Sequence, residues 1–241
     1  MIIEHKKIVK IDELADIIPF KQGATWNSLW QIFYYTRLFK YVKRSFYPKI
    51  KIAFNKICTD RKLLRLCELG YLFSPQKDVY CASNKVLPIL KEVGFNIEAL
   101  PAEPQGSGNI NELNNTQVFI DSLKVENFYA LLFCNFGYIV PDALMVLLDK
   151  EESRYKLIFL EIEAQKPDWH EYIENKINNY FKLARDMQFF NYWLKQCKLL
   201  KITPPAIEDL KFSVCIVGNI KKELRTGFIF TENLLSHGLF K

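Results

Sequence analysis

The 241-residue chain has little that would staple it or carry the commonest enzyme chemistries. Its six cysteines include no CxxC pair, which is too sparse for a disulfide scaffold or a zinc ribbon. His5, His170 and His237 are scattered, so no histidine cluster stands out as a metal site. No Walker A, GxGxxG or GxSxG motif occurs, leaving nucleotide hydrolysis, dinucleotide redox chemistry and serine hydrolysis without support. There is no internal repeat or low-complexity tract, and the first residues, MIIEHKKIVK, lack the apolar stretch of a secretory signal. These absences predict a soluble protein of a reducing compartment, the cytoplasm.

What is present is globular in balance. Hydrophobic residues make up 49% and charged residues 25%, which excludes a disordered or collagenous chain. One window, Tyr129–Leu148, is about as long as a membrane span at roughly 20 residues. Asn135, Gly137, Pro141 and Asp142 lie inside it, however, and Pro-Asp in mid-bilayer is costly. Two buried strands joined by a turn explain the same letters better, because strands covered on both faces read as continuous apolar runs.

Leu100-Pro-Ala-Glu-Pro-Gln-Gly-Ser-Gly-Asn109 cannot hold a packed helix or strand. It divides the expected organisation into a domain at 1–99, a linker at 100–110 and a domain at 111–241. Before it, the spacing predicts helices over Trp26–Tyr35 and Arg37–Phe46, and two helical pieces within Lys49–Leu69. Gly70 stands at a C-cap position. Tyr71–Phe73 and Val79–Cys81 form a hairpin around Ser74–Asp78, and Asn84–Val93 reads as a closing helix. Helices, a hairpin and a further helix give the winged helix-turn-helix layout.

Charge agrees with that layout. Arg37, Lys40, Lys43, Arg44, Lys49, Lys51, Lys56, Arg61, Lys62, Arg65 and Lys77 face only Asp60 and Glu68 in the same window. Eleven cations against two acids net +9 where the whole chain nets +6, so the rest of the chain nets −3. Basicity this concentrated is the footprint of a protein that contacts double-stranded DNA through its phosphates. The alternative is a solvated basic face on a protein-binding helical domain.

After the linker the pattern reads as a helix at Glu112–Leu123 and strands at Phe128–Cys134, Asp142–Leu148 and Tyr155–Glu163. A long helix from Asp168, its N-cap, to about Leu199 and a strand at Phe212–Val217 follow. The order is αβββαβ. Period-two alternation puts Leu157, Phe159, Glu161 and Glu163 on one face of the third strand, with Lys156, Ile158, Leu160 and Ile162 on the other. Both faces are apolar, so the strand is central and two carboxylates emerge at its end. If Asp142 pairs with the third strand at an odd register sum, all three acids share a face, with opposed Cβ atoms about 4.5–5.5 Å apart. Carboxylates that close raise one another's pKa unless a cation intervenes. A hard divalent ion such as Mg²⁺ resolves the repulsion and suits phosphodiester hydrolysis. Glutamates solvated at a strand end, or paired with Lys166 or Lys176, explain the same residues without a metal.

Pro141-Asp142, the hairpin, Glu161-Ile-Glu163 and the following helix resemble the PD-(D/E)xK nuclease superfamily. The resemblance implies a restriction-endonuclease-like α/β domain behind an α+β winged helix, with Mg²⁺, or Mn²⁺ in its place, held by Asp142 and Glu161. The lysine of the pattern falls on Glu163. Glu-x-Glu occurs in some restriction endonucleases of the superfamily, and in others the lysine has moved to the next helix, where Lys176 is available with Tyr180 one turn on. Gln165 and Lys166 lie just past the strand.

Over most of the chain the sequence is similar to the replication-relaxation family of plasmids and other mobile elements. The likeness rests on Leu63–Leu72 with Val79-Tyr80, on Asn115–Leu123, and on Ile139–Ala143 through Phe159–Glu163 to Lys176-x-x-x-Tyr180. Ala164-Gln165-Lys166 departs from that family's basic and small residues. Membership implies DNA binding in replication or mobilisation. It implies either a metal-dependent endonuclease built on Asp142, Glu161 and Glu163 with Lys176 or Lys166, or a nuclease-like fold that has lost its chemistry and serves as a docking platform. His170 reads as a helix-surface residue, and Cys58, Cys67 and Cys81 as small core residues. Phe189, Phe190, Tyr192 and Trp193 read as helix packing or a homodimer contact, with base stacking as the alternative.

Overall fold

A computed structural model describes residues 11–14, 23–49, 60–98, 100–106, 110–149, 154–163, 168–218 and 227–240. The chain is a mixed α+β protein with a small antiparallel sheet and a five-stranded mixed sheet, and it divides into units at Met1–Leu123 and Lys124–Lys241.

In the first unit, helix α1 (Gly23–Leu38) carries the core aromatics Trp26, Trp30 and Phe33, all fully buried. The two indole rings lie 5.3 Å apart, and Phe33 stacks on Tyr71 at 5.4 Å. The helix expected over 37–46 is absent. α1 ends at Leu38, Lys40 takes a left-handed backbone at φ 61°, and Val42–Lys43 form strand β1 before a 3₁₀ turn at Arg44–Lys49. A non-glycine residue in that region breaks a helix, which is why the apolar spacing misled.

Helix α2 (Asp60–Glu68) buries Leu63 and Leu66. Gly70 ends it at φ 74°, with its own N–H bonded to Cys67 O and that of Tyr71 bonded to Leu66 O, the paired bonds of a Schellman cap. Strands β2 (Leu72–Gln76) and β3 (Val79–Ala82) follow, then helix α3 (Val86–Glu92), and the sheet order is β1-β3-β2. Pro75 is tolerated because β2 is an edge strand and its pairing is interrupted between Phe73 and Gln76.

Helix α4 (Ile110–Ser122) belongs to this first unit, so the division falls at 123/124 and not at the Pro/Gly-rich segment. The reason is packing. The buried Thr116 hydroxyl donates to Tyr41 O at 2.6 Å, and Phe119 stacks on Phe39 at 6.1 Å.

The second unit is a sheet in the order β4-β5-β6-β7-β8. β4 (Phe128–Leu132), β5 (Ala143–Asp149) and β6 (Arg154–Ile162) form an antiparallel meander. Among the described residues no helix is long and apolar enough to cross a membrane, and the window at 129–148 holds most of β4 and most of β5. β7 (Phe212–Val217) and β8 (Phe228–Thr231) continue the sheet parallel to β6. The last strand was not anticipated. The long helix is two, α5 (Trp169–Leu183) and α6 (Met187–Leu200). Asp186 starts the second by accepting the N–H of Gln188 at 2.8 Å, whereas Asp168 makes no side-chain cap bond.

Ile173, Ile177 and Leu183 of α5 and Phe189 and Trp193 of α6 pack on Leu144, Val146, Leu157, Phe159, Val214 and Ile216. Each such fully buried side chain contributes about 1.5–3 kcal/mol. Met145, Ile158, Leu160 and Cys215, on the other face of the sheet, are buried too. β6 is therefore covered on both sides, as its letters predicted.

Candidate functional site

The site forms where β6 leaves the core beneath α5. Ala143 pairs with Leu160, so continuing the register sets residue 142 opposite residue 161, the odd-sum pairing that puts both acids on the face of Leu157 and Phe159. Asp142 lies one residue before β5, and its Oδ2 accepts the N–H of Ile162 at 2.7 Å. The carboxylate thereby extends the β5–β6 ladder by one bond. On the other side of β6, the N–H of Glu163 bonds to Val217 O at 2.9 Å. A Cβ on Gly218 would stand 1.9 Å from Glu163 O, so only glycine lets β7 approach the strand end this closely.

Helix α5 supplies the partners. Tyr172, Lys176 and Tyr180 are spaced four apart and share one face. Lys176 Nζ donates to Glu161 Oε2 at 2.7 Å and also to Glu163 Oε1. The phenol of Tyr180 donates to Glu161 Oε1 at 2.6 Å, and that of Tyr172 donates to Glu163 Oε1. Glu161 is 1% exposed and Lys176 17%. A cation does sit between the strand-end acids, and it is the lysine ammonium.

Burial lifts the Glu161 carboxyl to about 7, with Asp142 adding to the rise, against the opposing pull of Lys176 and Tyr180. Burial also works against the charge of Lys176, but the two facing glutamates outweigh it and hold the ammonium above the usual lysine range. The Tyr180 phenol is pushed up by burial and by Glu161, so it donates its proton and keeps it. Burial and the ammonium thus pull on the Glu161 proton in opposite directions.

No family model, curated protein or solved structure matches the chain. The assignment of the site therefore rests on its own geometry.

Of the acids and lysines singled out in the sequence, Glu161, Glu163 and Lys176 are in direct contact and Asp142 bonds to the same strand end. Lys166 and Gln165 lie outside the described residues. Among the described residues no three His, Cys, Asp or Glu side chains converge as a metal cage. Tyr172 was missed, although its position four residues before Lys176 was a usable signal.

The basic residues of the first unit divide. Lys40, Arg44, Arg61 and Lys77 are exposed, and Lys43, Lys62 and Arg65 are half-buried. Arg44 pairs with Asp60, Arg65 with Glu68 at 3.1 Å, and Lys43 lies 5.8 Å from the centre of the Phe46 ring. Arg37 must be withdrawn from the phosphate-facing set. It is 2% exposed and donates to Ala82 O at 2.9 Å and Asn84 Oδ1 at 2.8 Å, with Glu103 at 3.9 Å. The Lys49 side chain, Lys51, Lys56 and Cys58 fall outside the described residues. His170 is exposed on the first turn of α5, while Cys81, Phe189 and Trp193 are buried.

Proposed function

We propose that the chain binds double-stranded DNA through its first unit and hydrolyses phosphodiester bonds at the Asp142–Glu161–Lys176 cluster of its second. The observation that carries this reading is the 2.7 Å contact between Lys176 and Glu161. Where the PD-(D/E)xK pattern expects its lysine the chain has Glu163, and α5 delivers an ammonium to that strand end instead. An ammonium aimed at the reacting centre stabilises the charge that builds on a pentavalent phosphate.

The element order supports the same reading. α1, β1, α2 and the β2–β3 hairpin, in the sheet order β1-β3-β2, follow a winged-helix path, with Arg61 exposed on α2 and Lys77 exposed at the hairpin turn. The β4–β6 meander, the helical crossover and the parallel β7 follow the βββαβ path of a restriction-endonuclease-like core. The resemblance to the replication-relaxation family directs the activity to replication or mobilisation of a mobile element.

Hydrolysis of this kind would need a hard divalent ion, admitted once Lys176 gives up Glu161. Asp142 and Glu161 offer carboxylate oxygens from facing strand ends, and Mg²⁺ characteristically takes one or two carboxylates together with substrate phosphate. Such an ion, when bound, would supply Lewis acidity to a phosphoryl oxygen. Within the chain, Tyr180 orients Glu161, Tyr172 orients Glu163, and Lys176 balances both acids until phosphate draws it away.

Supercoiled plasmid incubated with Mg²⁺ or Mn²⁺ tests the proposal. Wild type is expected to nick or linearise it, with Asp142→Ala and Lys176→Ala each slower by about 10²–10³-fold while still retarding duplex DNA on a gel. Intact plasmid with wild type, or equal cutting by Asp142→Ala, overturns hydrolysis.

A second reading, a docking platform without chemistry, is favoured by one observation: both oxygens of Glu161 are already engaged, by Lys176 and by Tyr180. It predicts an intact plasmid together with salt-dependent duplex retention.

A further inference from the structure

Away from the acidic cluster, the α5–α6 junction forms an open concavity of ≈ 590 Å³ lined by Asn178, Phe181, Lys182, Arg185, Asp186 and Met187. Phe181 is 50% exposed and Met187 52%, which is unusual for large apolar side chains set next to one another. The Phe181 ring is braced edge-on by Phe228 at 6.0 Å and 69°, so it is held in place with surface left uncovered. Lys182 Nζ lies 4.1 Å from the centre of the Tyr138 ring, and Arg185 is exposed with no carboxylate partner among the described residues. The one acid of the lining, Asp186, is occupied. Its Oδ1 accepts the N–H of Gln188 and its Oδ2 the hydroxyl of Tyr138 at 3.0 Å.

We infer that this concavity binds a single-stranded polynucleotide, with an unstacked base on Phe181 and its flanking phosphates on Lys182 and Arg185. An aromatic platform beside cations is the chemistry that recognises single strands, because every base offers a π-face and every linkage a charge. A duplex keeps its bases stacked inside and cannot offer one to a ring set in a hollow. Asn178 adds an amide able both to donate to and to accept from a base edge. A protein contact is the competing occupant, since Phe, Met and Arg are enriched at interfaces. Lys182, of a type depleted there, and a lining whose one acid is already bonded favour a polyanion instead. The inference is independent of hydrolysis at Glu161 and of duplex binding by the first unit.

Fluorescence anisotropy of the full chain with labelled oligothymidylate and oligouridylate of about 12 nucleotides tests it at low salt. Wild type is expected to bind, and Phe181→Ala to weaken binding by about tenfold or more, in line with loss of one stacked base. Phe181→Trp is expected to retain it, which separates stacking from folding, and Arg185→Gln to lower both the affinity and its salt dependence. Duplex retardation stays unchanged in all three variants. Tighter binding of one oligonucleotide tells DNA from RNA as the strand taken. The inference is overturned if wild type binds neither oligonucleotide, or if Phe181→Ala and Arg185→Gln bind as wild type does. It is equally overturned if Phe181→Ala turns a dimer into a monomer at unchanged oligonucleotide affinity, which marks the patch as a contact between copies.

Discussion

Arg37 and Glu161 are the two charged side chains buried among the described residues, one in each unit, at 2% and 1% exposure. They are met in opposite ways. The two hydrogen bonds of Arg37 go to neutral acceptors, Ala82 O and Asn84 Oδ1, with the carboxylate of Glu103 more distant at 3.9 Å and its Nε left without a partner. Glu161 is met by an ammonium and a phenol, with a second glutamate sharing the same lysine. A guanidinium keeps its proton throughout the working pH range, so Arg37 can only tie α1 to the end of β3. Glu161 can change charge near neutrality. Burying a charge is costly in both places, and only in the second does the arrangement leave a proton free to move. That difference sets a fixed clamp apart from the cluster at which we propose chemistry.

Removing the counter-ion in the second unit is expected to have the largest effect. Lys176→Met keeps the aliphatic stem and strands two carboxylates, and breaking a buried pair in this way costs about 3–5 kcal/mol. Urea unfolding followed by tryptophan fluorescence is expected to show that loss, with Lys176→Met/Glu161→Gln recovering part of it because the two changes share one interaction. A loss under about 1 kcal/mol is the value of a surface pair, and would show that the cluster is solvated and that the contrast with Arg37 fails.

The strands were legible because their signal is local. β6 carries apolar letters on both faces and proved central, and the odd-sum register that groups Asp142 with Glu161 is the one the hairpin adopts. Lys176 was legible as one of two lysines able to neutralise the glutamates, since four-residue spacing put it in line with Tyr180. What failed depended on distant partners. Pro and Gly at 100–109 look like a boundary, yet α4 is drawn to the first unit by a hydroxyl reaching Tyr41 O, 75 residues away in sequence. The break between α5 and α6 at Ala184-Arg185-Asp186 contains neither Gly nor Pro, so apolar periodicity ran through it. Arg37 was counted as a surface cation because burial leaves no mark on composition, although its neighbours Thr36, Leu38 and Phe39 hinted at it.

The two buried charges also differ in their response to pH. The Glu161 carboxyl rises from 4.5 to about 7 on folding, so the folded state favours its protonated form. The associated stability is fully present below about pH 4.5 and is lost as pH rises through about 7. The stability of wild type minus that of Glu161→Gln should therefore fall across that window, by at most about 1.4 kcal/mol per pH unit. Chemical denaturation at a series of pH values measures it. A difference that grows with pH would mean that Lys176 holds Glu161 ionised and that its proton is not available for chemistry.

The smallest effect belongs to Arg37, and it tests whether that side chain meets phosphate or only ties α1 to β3. Arg37→Met removes a charged donor from two neutral acceptors, with an expected total loss of about 1.5–3 kcal/mol. Arg37→Lys should restore little, because a single ammonium cannot present the planar fork that reaches Ala82 O and Asn84 Oδ1 together. Neither loss should vary between pH 4.5 and 7 in the way the Glu161 difference does, since a guanidinium does not titrate there. Below their unfolding temperature both variants should bind duplex DNA with an unchanged salt slope, whereas losing one phosphate contact lowers that slope by about one. A lowered slope for Arg37→Met would return the residue to the phosphate-contacting set and place a DNA contact where the structure shows a clamp.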